Sequence, residues 1–181
     1  REVKLLRASY GKRFFYRYIN LEELHEELQI FSRWRDDISF FLMDYPSGQV
    51  IYQRNADSLR PVGSIAKLMS AYVLMDQVFQ DKDKLIDKET AEMSCNRHLS
   101  GGEHFREGEE LQTEKLLALM LVNSSCAGTL ALVKHFFDSK EKFLAIMNEL
   151  AQRIGMDAYF EDFTGLSPYN SCNAISAAKL G

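Results

Sequence analysis

The sequence has no apolar run longer than the seven residues 116–122 (LLALMLV), far short of the ~20 needed to cross a bilayer, so no membrane-spanning segment is expected. It has no surplus of basic charge either: 22 Lys and Arg against 26 Asp and Glu leave a net charge of -4, which gives no reason to expect a nucleic-acid partner. Cysteine is scarce and unpaired in pattern. Cys95, Cys126 and Cys172 are an odd set without a C-x-x-C pair, which argues against a zinc knuckle or a disulfide-stapled scaffold. His25, His98, His104 and His135 lack metal-ligand spacing, so no metal is expected. Internal repeats and low-complexity linkers are absent. The opening REVKLLRASYGKRFFYRY alternates cationic and aromatic residues without an apolar h-region, so no signal peptide is visible in this chain.

What is there is ordinary globular composition, 46% hydrophobic and 27% charged, on a chain of 181 residues, enough for one domain with an appendage and a real core. Residues 1–36 read as an N-terminal extension: the basic-aromatic opening, then LEELHEELQIFSRW, where Leu21, Leu24, Leu28 and Phe31 recur at helical spacing. Its polar face is rich in Glu, which fits a helix packed on a domain rather than one lying on a membrane.

Residues 37–181 read as the main domain. Two β-prone runs, 40–45 and 50–53, flank Pro46-Ser47-Gly48 and predict a hairpin. From Ser64 the period changes, and Ile65, Leu68, Met69, Tyr72, Val73 and Met75 predict a deeply buried helix starting just past Pro61 and Gly63. DKDKLIDKET reads as a solvated loop, and SGGEHFREGEELQ as a compact Gly-rich loop. TEKLLALMLVN predicts a helix capped by Thr113, and SSCAGTLALVKHFF a further helix behind Asn123-Ser124. KEKFLAIMNELAQRIGM is an amphipathic helix stopped by Gly155, with Phe143, Leu144, Met147, Leu150 and Ile154 on one side. The tail starts with a short strand and ends on the opening of another helix. A hairpin followed by a block of helices is α+β, and one hairpin cannot cover so many buried helices. Further strands are expected from beyond Gly181 or from another chain, and their absence would expose an edge and apolar faces that invite self-association.

The chemistry concentrates in PVGSIAKLMS. Residues three apart on a first helical turn share a face, so Lys67 Nζ can reach Ser64 Oγ. A serine is a poor nucleophile until a base takes its proton, and a lysine serves as that base when an apolar setting lowers its pKa. Backbone N–H groups at the helix N-terminus, that of Ser64 included, could face a developing oxyanion. The bland reading is that Ser64 caps the helix and Lys67 snorkels from it.

The company of this motif decides between them. FLMDYPSGQVIYQRNAD, PVGSIAKLMSAYVLMD, SGGEHFREGEELQTEKLLALMLVNSSCAG and KFLAIMNELAQRIGMDAYFEDFTGLSP, in this order, resemble successive segments of the D-alanyl-D-alanine carboxypeptidases, penicillin-binding proteins that share their fold with serine β-lactamases. The resemblance implies a β-lactamase/transpeptidase-like α+β fold, cut before its later sheet strands. It makes Ser64 the acylated nucleophile, Lys67 its base and Ser124 the serine of the second motif, S-x-N, which relays a proton to the leaving amine. The Asn of that motif is Cys126 here. Cys126 either takes over the substrate-binding position, with a thiol far weaker than an amide as donor and acceptor, or packs as a small hydrophobe; a shifted register would instead make Asn123 the amide donor. The third motif, K-T-G or H-T-G, is missing, since Phe163-Thr164-Gly165 lacks a cation and its Leu166 matches the family's structural T-G-L turn.

The family reading implies peptidoglycan stem peptides as substrate, D-alanine as leaving group, β-lactams as inhibitors, no cofactor, and a place outside the cytoplasmic membrane. A β-lactamase fits less well, because no E-x-x-L-N follows Glu103, Glu107 and Glu109. The rival is a non-catalytic wall-binding or scaffolding module. The altered second and missing third motifs favour it, and the retained Ser64, Lys67 and Ser124 oppose it.

Overall fold

The computed structural model describes residues 2–8, 14–20, 26, 38–80, 85–86 and 110–181. The amphipathic run Leu21 to Phe31 (apart from the helical Glu26), the Gly-rich loop with Glu103, Glu107 and Glu109, and Cys95 lie outside the described residues. The chain divides into two compact units, Arg1–Ser58 and Leu59–Gly181.

In the first unit, β1 (Glu2–Ala8) pairs antiparallel with β2 (Phe14–Asn20), from Glu2 opposite Asn20 to Ala8 opposite Phe14. The second hairpin joins β3 (Phe40–Met43) to β4 (Val50–Arg54), with a bulge at Leu42/Met43. Its turn opens earlier than the sequence predicts, at Asp44. That carboxylate accepts from the backbone N–H and the hydroxyl of Ser47, and its carbonyl accepts from Gly48 N at 2.8 Å. Gly48 takes the left-handed conformation, φ +68°, that closes the turn. Asp44 and Tyr45 are therefore turn residues rather than strand: a side chain that can bond its own backbone competes with the ladder.

The second unit holds the helices. They are α1 (Ala66–Gln80), α2 (Thr113–Val122), α3 (Cys126–Phe136), α4 (Lys140–Arg153) and α5 (Ala174–Leu180). Three very short strands, β5 (Arg60–Pro61), β9 (Ser171–Cys172) and β8 (Ala158–Tyr159), form one antiparallel strip in the order β5-β9-β8. A second strip pairs β6 (Leu85–Ile86) with β7 (Leu111–Gln112), so Leu85 and Ile86 are strand rather than solvated loop. Two-residue bridges are too short to leave a period in the sequence.

Helix α3 is the centre of the core, with every residue from Cys126 to Val133 buried. Around it pack Met69, Leu74 and Val78 of α1, Leu116 and Met120 of α2, and Phe143, Met147 and Ala151 of α4. Phe143 stacks edge-on with Phe137 at 4.8 Å and with Phe163 at 5.6 Å, which ties α4 to the loop before Thr164. Helix α4 follows its prediction in ending at Gly155, φ +70°, and Ser139, which sequence reasoning does not single out, caps it by accepting from Lys142 N at 3.1 Å.

Two expectations are corrected. Thr113 does not cap α2; it is a buried first helical residue, and Gln112 stands at the cap without a side-chain bond. Helix α1 is buried on one face only. Met69 and Val73 go inward with Ala66, Leu74 and Val78, whereas Ile65, Leu68, Tyr72 and Met75 are 41, 39, 52 and 42% exposed. Those four positions are spaced three, four and three apart, so they form a second apolar stripe on another side of the same helix. Hydropathy alone cannot separate two stripes on one apolar helix.

Candidate active site

Pro61 ends β5, and the chain turns at Gly63 into a tightened first turn of α1. There Ala66, Lys67 and Leu68 donate to the carbonyls three residues back, each at 3.0 Å. That turn leaves Ser64 exposed and carries Lys67 inward, to 2% exposure. Lys67 Nζ donates to Ser64 Oγ at 3.4 Å and to the Thr164 carbonyl at 2.5 Å. Among the described residues its partners are thus neutral oxygens. Lys67 is no snorkelling surface lysine, and Ser64 is no simple cap.

The third group comes from the junction of α2 and α3. Asn123 closes α2 through its N–H to Leu119 O, and Ser125 opens α3 by accepting from Gly128 N at 3.0 Å. Ser124, caught between these caps, is held at φ +56°, a left-handed conformation that costs a side-chain-bearing residue about 1–3 kcal/mol. Its hydroxyl donates to Ser64 Oγ at 2.7 Å. Cys126, one step into α3, is only 2% exposed, and this burial supports packing over contact with a substrate. Cys172 is a second buried thiol, pushed up to about 11 by burial and by the Asp157 carboxylate.

The loop after β8 supplies the fourth part, which sequence reasoning treated only as a structural turn. Gly165, at φ +86°, lies against the Gly63–Ser64 peptide. Before it, Phe163 O accepts from the Ser70 hydroxyl at 2.7 Å and Thr164 O accepts from Lys67. Ser70 and Lys67, three apart on α1, therefore bond consecutive carbonyls of one loop. Asp162 folds that loop. Its carboxylate accepts from Thr164 N at 3.1 Å, from Leu166 N at 2.7 Å and from the Thr164 hydroxyl at 2.8 Å. Asn170, fully buried, accepts from the N–H groups of Glu161 and Asp162 and donates to Asp162 O. An Asp two residues before a Thr-Gly pair is an Asx-turn signal that could have drawn attention to this loop. Among the described residues no three His, Cys, Asp or Glu side chains gather as a metal site would require.

A buried lysine one turn on and a second serine both bond the one exposed serine oxygen, an arrangement that serine acyl-transfer chemistry requires. The chain belongs to the D-alanyl-D-alanine carboxypeptidase family, which it matches over residues 35–181. It is 30% identical over 144 residues to a D-alanyl-D-alanine endopeptidase of Escherichia coli, covering 78% of this chain and 45% of that protein. It is also 30% identical over 154 residues to the D-alanyl-D-alanine carboxypeptidase DacC of Escherichia coli, covering 81% and 38%. Its fold superposes on penicillin binding protein 6B from Escherichia coli with a TM-score of 0.69 at 26% identity, over 79% of this chain and 48% of that one. The expected mixed helix-and-sheet fold of the penicillin-binding proteins is thus the one found, and the chain spans less than half the length of these relatives.

Proposed function

We propose that the protein is a serine DD-peptidase acting on peptidoglycan stem peptides. The observation that carries this reading is the convergence of Ser64, Lys67 and Ser124 on one oxygen, Ser64 Oγ, from two separate segments. Lys67 takes the hydroxyl proton as Ser64 Oγ bonds to the carbonyl carbon of the penultimate D-alanine. The backbone N–H of Ser64, ahead of the bonded first turn of α1, stabilises the oxyanion, and Ser124 relays the proton to the departing amine as the C–N bond breaks. Water then releases the acyl group. Carboxypeptidase and endopeptidase differ in this scheme only in which amine leaves. β-Lactams acylate the same serine, with the ring nitrogen as leaving group, in keeping with the name of the penicillin binding protein neighbour.

In this reading residues 37–181 are part of the catalytic domain, residues 1–36 are an extension, and the work site is extracytoplasmic. Among the described residues no helix is long and apolar enough to cross a membrane. A fluorescent penicillin tests the reading. The full-length protein is labelled at Ser64, and Ser64→Ala is not; an unlabelled protein, or a label that survives the substitution, would sink it.

A further inference from the structure

We propose that Asp162 is a positioning residue for the base, setting Lys67 in place through the backbone of Thr164. The inference rests on the acylation chemistry above and adds to it a residue that touches neither nucleophile nor base. The physical problem is how a long, flexible side chain is held at one point. Lysine has four rotatable methylene bonds and about 2 kcal/mol of rotamer entropy, so Nζ reaches Ser64 Oγ reproducibly only if a second fixed acceptor holds it. That acceptor is Thr164 O, 2.5 Å away.

A carbonyl on a surface loop is a poor anchor unless the loop is fixed, and Asp162 fixes this one. It bonds both sides of the peptide that matters, Thr164 N before the carbonyl and Leu166 N after it, and also holds the Thr164 hydroxyl. Those two N–H groups have no ladder partner in a three-residue turn, so the carboxylate satisfies donors that would otherwise compete for water. Asp162 is itself located by Asn170, which bonds its N–H and its carbonyl, while Asn170 O accepts from Val62 N at 2.9 Å, two residues before the nucleophile. Asn170 therefore grips both the loop that holds the base and the segment that delivers Ser64. Ser70 pins Phe163 O beside it. The bonds of the carboxylate run to Thr164 and Leu166 of its own loop, so its effect passes through backbone geometry.

The test compares acylation of the full-length protein by a chromogenic penicillin in three forms, unsubstituted, Asp162→Ala and Asp162→Asn, with rates expressed per titrated active site so that only folded molecules count. Asp162→Ala should lower the saturating acylation rate constant by about 10–100-fold, the scale set by a small misplacement of a catalytic group, with the pre-covalent dissociation constant unchanged. Asp162→Asn keeps an acceptor oxygen for the two N–H groups and should recover most of the rate. The proposal is overturned if Asp162→Ala acylates each titrated site at the unsubstituted rate, if only the number of titrated sites falls, or if Asp162→Asn is as slow as Asp162→Ala. If the unsubstituted protein is not acylated at Ser64, it is the DD-peptidase reading that fails.

Discussion

A methyl group on the Cα of Gly165 would fall 2.2 Å from the carbonyl oxygen of Gly63 and 2.9 Å from the amide nitrogen of Ser64. The loop that holds Lys67 thus lies directly on the peptide that presents Ser64. Gly165→Ala must both adopt φ +86° and push that peptide aside. The two costs together should destabilise the fold by about 2–4 kcal/mol. Thermal unfolding measures this, and an acylation rate reduced further than the residual folded fraction explains would place the displacement at Ser64.

Lys67→Arg places a fixed positive charge at the buried position and cannot accept a proton, since guanidinium stays protonated in proteins. Penicillin acylation should fall by about 10²–10⁴-fold, the range for losing a general base. An arginine variant that acylates normally would show that Lys67 acts only as a cation.

Ser124 allows strain and chemistry to be separated. Ser124→Ala and Ser124→Gly both remove the hydroxyl that donates to Ser64 Oγ, so both should slow acylation alike. They should differ in stability, because glycine accepts φ +56° freely and alanine does not: the glycine variant should be the more stable by about 1 kcal/mol in chemical denaturation. Equal stabilities would mean that the left-handed turn is relaxed in solution.

Cys172 gives a pH signature unrelated to activity. Its thiol, pushed from 9.0 to about 11, stays protonated in the folded protein at pH values where the unfolded chain has lost that proton. The folded state then binds more protons, so stability is lost as pH rises, beginning near the unfolded value and continuing to the folded one. Between pH 9 and 11 the contribution should fall by at most about 1.4 kcal/mol per pH unit, and Cys172→Ala should lack that part of the slope. The difference between the two denaturation-versus-pH curves isolates it from the lysines and tyrosines titrating in the same range.

The legible parts of this molecule are those where side-chain chemistry repeats or stands at a fixed offset. Helix α4 is announced by its apolar face and by Gly155 after it. Ser64 and Lys67 were legible as a spacing, and Ser124 only through the family resemblance, because nothing in NSSC says that its hydroxyl crosses 60 positions to reach Ser64. The anchor for Lys67 was not legible at all. It is a main-chain carbonyl, every residue has one, and the choice of Thr164 is made by tertiary packing across 97 positions. The burial of α1 was overestimated for a related reason, since an apolar residue in sequence does not declare which side of its helix it will share with a neighbour.

Helix α3 is enclosed from Cys126 to Val133, and this bears on how the Ser124 hydroxyl, two residues before it, is held. Amides in such a segment exchange with heavy water only when the whole unit opens, so they should be among the slowest to acquire deuterium. In the proposed chemistry Ser124 would then work from the edge of the segment that opens last, and penicillin acylation and the fold should be lost at the same temperature.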